Sequence, residues 1–168
     1  MKRVCKLTIG TLGLLFLGVV LSAGAVFAQT AKDLVGTWTL VSAINEQGGN
    51  KTDTYGPHPK GILTVDANGH YVLAIARADL PKIASNNRTT ATPEENKAIV
   101  QGSNTHFGTV SVSAADKTII FKIETSTFPN WDGIEQKRSF TLTGDELTYT
   151  VPAASGGGTA TVVWKRAK

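Results

Sequence analysis

From Leu34 to Arg166 apolar and polar residues alternate with a period of two, and Gly, Asn and Asp break that alternation at short intervals. Period two sends successive side chains to opposite faces of a strand, so each run offers one apolar face for burial. "LVGTWTLVSAIN" places Leu34, Gly36, Trp38, Leu40, Ser42 and Ile44 on one face. "GILTVDANGHYVLAIAR" reads as two strands around Ala67-Asn68-Gly69, where Asn-Gly supplies the positive φ of a tight hairpin. "THFGTVSVSAADKTIIFKIETS" is a second pair, hinged at Ala114–Lys117, and "IEQKRSFTLTGDELTYTV" is a third, turning at Gly144-Asp145. "TATVVWKR" closes the chain after "ASGGG". That makes eight antiparallel strands, each with an apolar face to bury. A sandwich and a closed barrel both satisfy the pattern. The barrel is preferred because closure removes exposed edges, and because Trp38 on the first strand and Arg166 on the last would then meet in a cation–π contact.

The stretch from Arg77 to Thr105 departs from this rhythm. "TPEE" at 92–95 is a capping box, with Thr92 as cap, Pro93 at the first helical position and Glu95 reaching back. It predicts one short helix near 93–101 inside a long loop. A connection this long is either functional or a plug for one barrel end, and the pattern does not choose.

The first 28 residues are expected to lie outside the fold. A basic start (Lys2, Arg3, Lys6), an uncharged apolar run and small residues ending at Ala28 describe a secretory signal peptide, cleaved to leave 29–168 as one domain. The expected location is therefore periplasmic or secreted, with no membrane span after cleavage. Removing that segment lowers the basic count from 17 to 14 against 13 acidic residues, so the formal charge drops from +4 to +1. The basic balance belongs to the targeting segment, and with no basic stripe left, nucleic acid is an unsuitable partner. Cys5 goes with it, so the mature chain has no disulfide, thiolate metal site or cysteine nucleophile. His58, His70 and His106 lack metal-ligand spacing, and no phosphate loop, dinucleotide fingerprint or Ser-His-Asp arrangement is visible, so neither metal nor cofactor is expected.

"LVGTWTLVS", "YGPHPKGILTVDANGHYV", "FPNWDGIEQKRSFTLTGDELTYT" and the terminal "VVWKR" occur in that order, and together the chain resembles the lipocalin-like domain family of bacteria and fungi from about Leu34 to Arg166. The resemblance implies an eight-stranded antiparallel lipocalin-like barrel with a central cavity for a small hydrophobic or amphipathic molecule. Some related barrels are cyclases or isomerases, which keeps an enzymatic use of the same cavity open, as well as a filled barrel with no ligand. Members often carry a His before the Pro-Asn-Trp corner. Lys122 stands there in this chain, so an imidazole role at that place does not carry over.

Alternation supplies the candidate binding residues. After the corner, Ile134, Gln136, Arg138, Phe140 and Leu142 share a face, which points Gln136 and Arg138 into the barrel. A buried guanidinium needs an acceptor. Either main-chain carbonyls satisfy Arg138 at the rim, or a ligand with an acidic or carbonyl group does. In "HYVLAIAR" Tyr71, Leu73, Ile75 and Arg77 share a face, so Arg77 would reach the mouth, or else sit solvated at a strand end. Tyr55 and His58 lie on a loop stiffened by two prolines, His58 being an ordinary surface histidine on the simpler reading. His106 shares its face with Val110 and would be the cavity's imidazole or a packed core residue. Trp131 is expected to pack over a barrel end.

Overall fold

The computed structural model describes residues 29–168, so the signal-peptide reading of 1–28 lies outside the described residues. A one-turn helix α1 (Ala31–Leu34) leads into β1 (Gly36–Gln47), β2 (Asn50–Asp53), β3 (Lys60–Val65) and β4 (His70–Ala76). A long connection containing helix α2 (Pro93–Gly102) follows. Then come β5 (Ser103–Ser113), β6 (Thr118–Ser126), β7 (Glu135–Thr143), β8 (Glu146–Val151) and β9 (Thr159–Arg166).

All pairings are antiparallel: β1 pairs with both β2 and β3, each strand from β3 to β9 pairs with the next in sequence, and β1 pairs with β9 to close the sheet. β2 and β3 lie on the same side of β1, β2 against Ile44–Gln47 and β3 against Gly36–Thr39, so they form one interrupted stave. Nine segments therefore make an eight-staved barrel. The short β2 is an addition to the strands expected from alternation, since "NKTD" has no apolar member. Helix α2 forms where the capping box placed it: Thr92 accepts from the Glu95 amide, and the Glu95 carboxylate accepts from the Thr92 amide.

The two ends differ. At one, the hairpins β3–β4, β5–β6 and β7–β8 turn tightly, and α1 lies across the opening with Leu34 buried. Trp38 is fully buried there and donates from Nε1 to the Leu34 carbonyl. The Arg166 guanidinium sits 4.1 Å from the Trp38 ring centroid and donates to the Val35 and Asp33 carbonyls, as closure of the first strand on the last required. Arg166→Ala removes two charge-assisted hydrogen bonds and the ring contact from a partly exposed site. The expected cost is about 1–2 kcal/mol, read as a lower urea midpoint at unchanged slope.

One expectation about β1 fails for a definite reason. A β-bulge between Leu40 and Ser42 inserts Val41 as an extra residue. Such an insertion exchanges the faces of everything beyond it. Ile44 is consequently exposed, while Ala43 and Asn45 turn inward, the reverse of uninterrupted alternation, and Val41 stays exposed at the bulge.

Candidate functional site

At the other end the barrel holds a cavity of about 80 Å³. It is lined by Arg138 of β7, Tyr149 of β8 and His106 of β5, with Leu73 and Ile75 on β4 next to β5. Its mouth is rimmed by Thr54 and Tyr55 between β2 and β3, by Trp131 in the corner before β7, and by Ala154–Gly156 between β8 and β9. No residue of 78–103 lines it, so the long connection, helix included, packs outside the cavity wall.

Arg138 is the centre of the arrangement. It is only 2% exposed, yet no carboxylate pairs with it among the described residues. Its guanidinium carbon lies 4.4 Å from the Phe121 ring centroid and 5.0 Å from that of Tyr149, and one terminal nitrogen donates to Gln136 Oε1 at 2.6 Å. Its Nε has no acceptor. Burial pushes the guanidinium pKa down from its ordinary value, with the Tyr149 and Tyr71 hydroxyls acting against that. An arginine in a protein nevertheless stays protonated. A buried cation held by two aromatic faces and one amide is only partly compensated.

His106 is equally buried and stacks edge-to-face on Trp131, with ring centroids 5.8 Å apart. Its Nδ1 lies 2.8 Å from the Tyr71 hydroxyl. Burial first, and the Arg138 charge second, pull its pKa down to about 3, so the imidazole is neutral at ordinary pH. Burial raises the Tyr71, Tyr149 and Tyr55 phenols, which stay protonated donors. The wall thus carries one fixed positive charge and several neutral polar groups, and no Asp or Glu lines it.

The structure therefore gathers Arg138, His106, Tyr55 and Trp131 at one cavity, with Gln136 and Tyr71 bonded directly to two of them. Arg77 is not among them. β4 ends at Ala76, and the Arg77 side chain folds back on Asp79 through two hydrogen bonds of 2.9 Å, 45% exposed on the outside. An acid two residues on satisfies the guanidinium more cheaply than burial at the mouth would. Ile134 also leaves the inward face, since the strand begins only at Glu135. His58 is exposed on its loop, and Lys122 points to solvent beside Glu135. Sequence reasoning missed Asn45, Phe121 and Tyr149. The last two sit at inward positions of "TIIFKIETS" and "ELTYTV" and could have been found by alternation. Among the described residues no group of three His, Cys, Asp or Glu is placed to hold a metal, and no helix is long and apolar enough to cross a membrane.

The fold is a closed antiparallel β-barrel, sealed at one end and hollow at the other. The chain belongs to the lipocalin-like domain family, whose model matches residues 35–167. Similar solved structures include the crystal structure of the wild-type fluorescent protein UnaG, at 12% identity and a TM-score of 0.37, covering 82% of this chain and 99% of that one. A mutant of the same protein is similar at 12% identity and a TM-score of 0.38, covering 82% and 98%. No curated protein matches.

Proposed function

We propose that this barrel is an exported binding protein for a small, partly apolar acid, held by its carboxylate on Arg138. The observation that carries the reading is the unpaired guanidinium: a fully buried cation, facing a cavity without acids, with Nε lacking an acceptor. A carboxylate would supply both the counter-charge and the missing acceptor. Leu73, Ile75, Val151 and Val162 would cover the rest of the molecule. The volume limits its size. About 80 Å³ exceeds the roughly 10–15 Å³ needed for a single water and falls well short of the several hundred of a drug-sized site. The basic, apolar and small-residue order of 1–28 supports an extracytoplasmic location for this binding.

Calorimetric titration with short monocarboxylates and with their isosteric amides tests the reading. Butyrate is expected to bind and butanamide to bind at least about tenfold more weakly, because only the anion answers the buried charge. Equal affinity for acid and amide would sink the proposal.

A further inference from the structure

A second buried polar atom without a partner belongs to a residue that lines the same cavity, and it has the opposite character to Arg138. Asn45, turned inward by the bulge at Val41, donates from Nδ2 to the Gly157 carbonyl at 3.0 Å. That bond fixes which way the amide points. Its Oδ1 is then left buried with no donor. Burying an acceptor without a donor costs about 1–3 kcal/mol, so a ligand group that satisfies it is selected for. Asn45 lies on β1, three staves round the barrel from Arg138 on β7, counting through β9 and β8. Apolar side chains of Val151, Ala160 and Val162 line the wall between them. The cavity therefore offers a donor with positive charge at one pole, an acceptor at the other, and an apolar wall between.

We infer that the site is built for a short hydroxy acid, its carboxylate on Arg138 and its hydroxyl donating to Asn45 Oδ1. An ammonium is the less suitable donor. It would bring a full charge to a neutral amide oxygen in a cavity lined by no carboxylate, and its desolvation would go uncompensated. This inference rests on the acid-binding reading above, deepening it from an acid to an acid with a hydroxyl at its far end.

The test is a matched titration of the full described chain with 3-hydroxypropionate, 4-hydroxybutyrate and 5-hydroxypentanoate against propionate, butyrate and pentanoate, with 4-aminobutyrate beside them. One hydroxy acid is expected to bind about tenfold more tightly than its parent acid, and 4-aminobutyrate more weakly than butyrate. In Asn45→Ala the hydroxyl preference should vanish while butyrate affinity holds, the latter confirming an intact pocket. If that variant does not fold, the wild-type series decides alone. Parent and hydroxy acids binding equally at all lengths would overturn the inference and leave the acid-binding reading standing. No acid binding at all would remove both. A preference for 4-aminobutyrate over butyrate would overturn the choice of hydroxyl.

Discussion

Arg138→Met is expected to weaken binding of short acids by about a hundredfold or more and, in the same protein, to raise the thermal midpoint by a few degrees. The two effects have one cause. The guanidinium is fully buried, has no carboxylate partner and leaves Nε unbonded. Replacing it with an apolar side chain of similar length relieves a desolvation penalty of several kcal/mol. Against this stand the contacts with Phe121 and Tyr149 and the bond to Gln136, together worth about 2–3 kcal/mol. A net gain of about 1 kcal/mol corresponds to roughly 3 °C in a domain of this size. Loss of a charge-assisted bidentate contact to the ligand costs binding about 3 kcal/mol, hence the hundredfold figure. Scanning calorimetry beside the titration checks both. A midpoint that drops by several degrees instead would make Arg138 a structural residue and deprive the acid site of its anchor.

His106 should make the barrel sensitive to mild acid. In the unfolded chain the imidazole takes up its proton near the ordinary value of 6.5, and in the folded barrel only near 3. The folded-state value is depressed, so between these two values the unfolded state binds the extra proton and is favoured. Stability is therefore complete above 6.5 and drains as pH falls, by roughly 1.4 kcal/mol per unit. By pH 5 the loss is about 2 kcal/mol relative to pH 7.5, a fall of roughly 6 °C in midpoint. Asp33, Asp66, Asp79 and Glu95, whose carboxyls are held below their ordinary values, begin to lose their contribution only as pH falls through those ordinary values, below pH 5, so the change between pH 7.5 and 5 belongs to the imidazole. His106→Gln keeps an acceptor for the Tyr71 hydroxyl and should flatten the dependence between pH 7.5 and 5. A wild-type midpoint that does not move over that range would disprove the account of His106 as a neutral, desolvated imidazole.

Much of the barrel can be read from the chain because each step is local. Alternation marks the strands, Asn68-Gly69 and Gly144-Asp145 mark turns, and "TPEE" marks the helix. The inward aim of Gln136, Arg138 and His106 follows from the same alternation. What escapes is whatever depends on an irregularity or on a neighbour. Nothing in "TLVSAIN" announces that Val41 is a bulge, because the signal is a pairing offset against β9. Asn45 was hidden for that reason. Arg77 was misplaced because a strand end and an acid two residues later decide where its side chain goes. Phe121 and Tyr149 read as ordinary core until β6 and β8 are seen to flank β7. Only then do two aromatic faces bracket one guanidinium.

The sealed end has a practical corollary. The last residues of β9 lie there beside Trp38, where the Ala167 amide donates to the Thr37 carbonyl, and Gln29 reaches the Leu142 carbonyl at the same end. Both ends of the described residues thus sit opposite the cavity mouth. A tag, surface tether or carrier domain joined at Lys168 would leave Tyr55, Trp131 and the glycine loop free.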